Sequence, residues 1–172
     1  MSSLKEIQAL QLQTEKVFDY IEEICAIPHG SRNTKAISDY LVAFAKKHDL
    51  TWYQDESNNV VIVQEATAGY EQADTIILQG HMDMVCEKES GCAIDFEKDG
   101  LDLYVDGDFL KARGTTLGGD DGIAVAYALA IMDSPEIAHP RLEVVITVDE
   151  EIGMLGAEAI DLSMLKGHKL LN

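Results

Sequence analysis

Three short stretches of this 172-residue chain gather the residue types that bind cations and move protons: His81-Met-Asp83, Asp120-Asp121 and Asp149-Glu150-Glu151. If Gly80 to Met84 is extended, the two-residue period of a strand points His81 and Asp83 the same way. The carboxylate can then orient the imidazole by accepting its second N–H, as in carboxylate–histidine–metal arrangements. Glu150 and Glu151 face opposite sides if extended, so one can serve a metal and the other the substrate side. Each stretch has an ordinary structural explanation: a hydrogen-bonded His-Asp pair, a helix-capping aspartate, or two surface glutamates. Bringing all three together crowds negative charge that a cation offsets readily. An imidazole with carboxylates, without paired cysteines, suits zinc, manganese or cobalt at a reactive site better than a structural zinc knuckle. A bound divalent ion lowers the pKa of water from about 15.7 to about 7, roughly 12 kcal/mol, and an unligated carboxylate nearby can take the proton released.

The surrounding pattern supplies elements to position these groups. Glycines at 114, 118, 119 and 122 loosen the loop before a helix whose face is marked by Ile123, Ala124, Tyr127, Ala130 and Ile131. Thr14–Ile27 and the segment after Thr34 read as amphipathic helices, the second burying Ile37, Tyr40, Leu41, Phe44 and Ala45. Strands are expected at 50–55, 59–65, 75–78 and 142–148, with a short helix at 157–165 and the start of another strand at 169–172. Asp106-Gly107 between alternating apolar residues predicts a hairpin turn. Asp106 and Asp108 also resemble part of a calcium loop, but the remaining spacing is absent. The expectation is one α/β domain whose ligand-type residues collect beyond the carboxyl ends of the strands.

Composition narrows the partners. Thirteen basic and 31 acidic residues give a net charge of −18, which disfavours nucleic acid and anionic membrane surfaces and favours cations. Neither a signal-peptide pattern nor an apolar run of membrane-spanning length is present, so a cytoplasmic location is expected. Three cysteines without a CxxC pair point to reduced thiols, and Cys86 and Cys92 are poor candidates as further metal ligands.

Leu78-Gln-Gly-His-Met-Asp-Met-Val85, Gly114-Thr-Thr-Leu-Gly-Gly-Asp-Asp-Gly122 and Thr147-Val-Asp-Glu-Glu-Ile-Gly-Met-Leu-Gly-Ala157 resemble, in order, motifs of the dinuclear zinc exopeptidases, specifically their aminoacyl-histidine (Xaa-His) dipeptidase branch. The looser Ile27-Pro-His-Gly-Ser31 loop is similar to that branch as well, with Gly30 where a proline is more familiar. The resemblance implies a three-layer α/β sandwich with a central mixed, mostly parallel sheet and helices on both faces. It implies two divalent ions, zinc foremost with cobalt and manganese as alternatives. His81 would bind one, Asp120 would bridge both beside a cis peptide to Asp121, and Glu151 would bind the second. Asp83 would orient His81, and Glu150 would be the general base. The implied reaction is hydrolysis of small peptides with a free N-terminus, typically Xaa-His; a tripeptidase, an aminoacylase or a non-catalytic module of the same fold are the alternatives. Family members are longer. Residues 1–172 would be the N-terminal part of the catalytic domain, and the chain alone would bind metal weakly and hydrolyse little. The further acidic ligand, the lid or dimerisation domain that would make the full-length protein a homodimer, and the C-terminal histidine would lie beyond Asn172.

Overall fold

The structure is a computed structural model that describes residues 15–172. Five strands form one sheet in the order β1-β2-β6-β3-β7: β1 Thr51–Gln54, β2 Val60–Gln64, β3 Ile76–His81, β6 Leu142–Thr147 and β7 Lys169–Leu171. Because β2 is antiparallel to both β1 and β6, while β6, β3 and β7 run parallel, four strands point one way and β2 alone opposes them. The mixed, mostly parallel sheet expected from the sequence is therefore present. A separate hairpin, β4 Leu103–Asp106 with β5 Phe109–Ala112, turns at Gly107-Asp108, one residue later than the Asp106-Gly107 pair read from sequence, with Gly107 at φ 61° as the first turn residue. Asp106 is engaged by Lys111 at 2.6 Å, consistent with a hairpin and not a calcium loop.

Period-two alternation splits β6 between two cores. Val144 and Ile146 pack with Val60 and Ile62 against helices α1 Glu15–Cys25, α2 Lys35–Lys47 and α3 Gly119–Met132. On the opposite face, Val145 joins Val61, Val63 and Ile77 beneath Ile160 and Leu165, beside the short helix α4 Leu155–Ala159. Both faces of 142–148 are buried, the polar Glu143 and Thr147 included.

Several boundaries and faces differ from the sequence reading. Among described residues α1 ends at Cys25, three residues before Pro28, whose ring disfavours helix in the residue before it; Thr14 lies outside the described residues. The helix expected at 157–165 is only Leu155–Ala159, because Ile160 turns extended (φ −68°, ψ 135°) to carry the chain across the sheet. In α3, Val125, Ala126, Ala128, Leu129 and Met132 face the core, whereas Ile123 and Tyr127 of the expected stripe are exposed. An almost uniformly apolar helix has no polar face from which its orientation can be read.

Candidate metal centre

The parallel strands β3 and β6 are adjacent, with His81 beside Thr147, so their C-terminal ends open onto the same rim. β3 delivers His81 as its last residue. The turn after β6 delivers Glu150 and Glu151, and the start of α3 delivers Asp120. Ligand atoms of His81, Asp120 and Glu151 lie within 4.8 Å of one another, and this is the one such group of three or more His, Cys, Asp or Glu residues among those described. Neither Cys86 nor Cys92 belongs to it, and all three cysteines are free thiols.

Asp120 is not a helix cap. The chain around it departs from helical geometry (φ −88°, ψ 110°), the Asp120–Asp121 peptide is cis, and Gly118 in the left-handed conformation occupies the cap position. The exposed Asp120 carboxylate instead approaches His81, with Oδ1 3.1 Å from Nε2. Asp121 turns the other way: its Oδ2 accepts the His81 backbone N–H at 3.3 Å. That approach requires Gly80, where a Cβ would stand 2.6 Å from the same oxygen. Gly118 meets a similar limit, since a Cβ there would lie 2.9 Å from Met84 Sδ.

His81 is buried, and its Nδ1 lies 2.9 Å from the Asp83 carbonyl but 3.6 Å from Asp83 Oδ1. The backbone oxygen is thus the nearer Asp83 atom to the ring, with the carboxylate beside it. The carboxylate is committed elsewhere. Oδ1 accepts the Glu150 N–H at 3.1 Å, while Oδ2 accepts the Ser31 hydroxyl at 2.8 Å and the Glu151 N–H at 3.4 Å. Asp83 therefore stands behind both the histidine and the glutamate turn. Ser31 itself is brought there by a bridge between Gly30 and Met84, with the Met84 N–H donating to the His29 carbonyl at 3.2 Å. The contribution of Ser31 was not foreseen from sequence, although the loop that carries it stood out by resemblance.

Electrostatics express the crowding. Burial disfavours charged His81, yet Asp83 and Asp120 outweigh it and push its pKa up to about 9. Burial would raise Asp83, but the adjacent His81 ring, the Ser31 hydroxyl and the Glu150 and Glu151 amides hold it below the usual carboxylate range. Burial raises Glu151, joined by the charges of Asp120, Glu150 and Asp83 against an opposing pull from His81. Glu150 Oε2 lies 3.8 Å from His81 Nε2, so a third carboxylate overlooks the group without belonging to it. One buried imidazole and two carboxylate ligands, with a third carboxylate at the rim, fit a divalent cation, whose charge would offset the crowded negative charge.

Residues 77–169 match Peptidase family M20/M25/M40. The chain is 40% identical over 162 residues to the cytosol non-specific dipeptidase of Escherichia coli (strain K12), covering 94% of this chain and 33% of that protein. The crystal structure of aminoacylhistidine dipeptidase from Vibrio alginolyticus superposes with a TM-score of 0.90 at 40% identity, over 94% of this chain and 33% of that one. A tripeptidase from Staphylococcus aureus shares the fold, with a TM-score of 0.75 at 22% identity over 91% of this chain and 42% of that one. The chain thus spans about a third of the length of the first two relatives.

Proposed function

Since this chain belongs to Peptidase family M20/M25/M40, we propose that the whole protein is a cytoplasmic metal-dependent dipeptidase that cleaves peptides with a free N-terminus, Xaa-His foremost. The observation that carries the reading is the convergence of His81, Asp120 and Glu151 from three distant segments, with their ligand atoms inside 4.8 Å. His81 would hold one divalent ion and Glu151 a second, with Asp120 shared between them. Zinc suits the donor set best, and cobalt or manganese could replace it. Residues 1–172 would then form the N-terminal part of the catalytic domain, with the lid or dimerisation part supplied elsewhere in the whole protein. That reading is supported by the one-third coverage of the two dipeptidases.

The bound ions supply Lewis acidity toward a peptide carbonyl and acidify water near neutral pH. The chain's own residues do the rest. Glu150 Oε2, facing His81 across 3.8 Å and outside the ligand group, would accept a proton from the attacking water and later deliver it to the leaving amine. Asp83 would hold the Glu150 and Glu151 backbone in register with His81 through the hydrogen bonds to their amides. The Asp83 carbonyl fixes the His81 ring so that Nε2 is turned to the cluster.

The test is made on the whole protein. Exhaustive chelation should abolish hydrolysis of Xaa-His dipeptides and stoichiometric zinc should restore it, while Glu150→Gln should retain metal and lose roughly 10²–10⁴ in rate. Full activity after chelation, or in the Glu150→Gln protein, would refute the reading. The 40% identity to a protein named as a non-specific dipeptidase favours a second reading, a broader dipeptide range. Comparing kcat/KM for Xaa-His with Xaa-Gly and Xaa-Leu substrates separates the two.

A further inference from the structure

The turn bearing Glu150 and Glu151 has its two ends tied by one side chain from elsewhere. Asn59, 1% exposed and immediately before β2, accepts the Val148 N–H at 3.0 Å through Oδ1 and donates through Nδ2 to the Gly156 carbonyl at 3.0 Å. The same Nδ2 donates to Asp55 Oδ2 at 2.7 Å. A single planar amide thus joins the residue entering the turn to the residue leaving it. The ends are further drawn together by the Gly156 N–H donating to the Val148 carbonyl at 3.0 Å. The closure is tight: a Cβ on Gly156 would fall 2.3 Å from the Val148 oxygen and 2.5 Å from Asn59 Oδ1. Between these ends Asp149 is left-handed (φ 56°), its Oδ1 accepting the Arg32 N–H, and Glu150 and Glu151 hang on Asp83.

We infer that Asn59 is a positioning residue for the glutamate turn: by clamping Val148 to Gly156 it fixes where the Glu150 and Glu151 carboxylates stand relative to His81 and Asp120. The inference rests on the metal-peptidase reading above, and it adds a residue that touches neither the cluster nor a substrate. Asp55 supplies the rigid mount. Its Oδ1 accepts the Asn59 backbone N–H at 2.8 Å while Oδ2 takes the side-chain amide, so the clamp is held from behind and cannot swing.

The test uses cobalt(II) alone as the probe, on the whole protein, with thermal stability measured in parallel. Asn59→Asp keeps the shape and the acceptor for Val148 but has no donor for Gly156, and it places a carboxylate against Asp55. It should lower the melting temperature, weaken cobalt(II) binding at least tenfold and alter the visible cobalt spectrum. Asp55→Asn/Asn59→Asp exchanges the two groups. The pair can again hydrogen-bond and the melting temperature should recover, but residue 59 still cannot donate to Gly156, so cobalt affinity and spectrum should remain altered. Recovery of cobalt binding together with stability in the double variant would overturn the inference, as would wild-type cobalt binding by Asn59→Asp. If the unmodified protein itself fails to take up cobalt, the metal-peptidase reading falls, which is a separate outcome.

Discussion

Asp83 does more at this rim than any residue in the ligand group, although no ion would touch it. It is fully buried, and its two oxygens serve three donors from two different segments. An amide in its place could not accept all of them, because its NH2 would face an N–H or O–H donor. Asp83→Asn is therefore expected to cost about 2 kcal/mol of stability and to weaken metal binding by roughly 10- to 100-fold, read by unfolding in urea and by metal titration of the whole protein. Ser31→Ala removes only one donor and should give a smaller effect of the same sign. This division of labour was half legible in sequence. The spacing His81-x-Asp83 put both residues at one place, but period-two logic assigned the carboxylate to the ring. The backbone oxygen turned out to be nearer, since nothing in the sequence shows which donors from residues 31, 150 and 151 will reach the carboxylate first.

At the level of elements, β6 is both the centre of the sheet and the carrier of a buried charge. Glu143 is 0% exposed within a run of aliphatic residues, paired through Oε1 with Arg141 Nε at 3.1 Å. Its oxygens also accept the backbone N–H groups of Lys166 and Gly167 at 2.9 to 3.0 Å. Burial would raise its pKa, but the Gly167 and Lys166 amides and Arg141 outweigh that and hold it below the ordinary 4.5. A carboxylate depressed in the folded state contributes stability at pH values above its unfolded pKa, and this is lost as the pH falls through the folded value. Glu143→Gln should therefore cost about 3 kcal/mol at neutral pH. Its urea midpoint should also decline less between pH 5 and 3 than that of the unmodified protein. The strand itself was plain from its β-branched run, and so were the hairpin and α2, whose buried face keeps Ile37, Leu41, Phe44 and Ala45, adds Ser38 and Val42 and leaves Tyr40 half-buried. The role of Glu143 was not, because a lone glutamate in an apolar strand looks the same whether it meets water or two backbone amides from a loop 23 residues away.

For the molecule as a whole, the sheet is unequal at its two ends. β1 packs against α2, though Thr51, Trp52 and Tyr53 are exposed, whereas among the described residues β7 pairs only with β3 and its Leu170 and Leu171 are more than half exposed. A free edge with apolar side chains on both faces is a template for pairing with other chains. Leu171→Lys is expected to reduce concentration-dependent light scattering of the 172-residue chain while shifting its melting temperature by no more than a degree or two. A net charge of −18 opposes such association at low salt, so the difference between the two proteins should widen as ionic strength rises. The strand order has a consequence for synthesis. β6 sits between β2 and β3 in space yet follows both in the chain, so a ribosome releases two strands that must wait, unpartnered with each other, until residues 142–147 emerge to slide between them. Nascent chains halted before that strand would hold His81 and Asp120 without the sheet that brings them together, leaving the cell's chaperones, and not the cation, to guard the unfinished molecule.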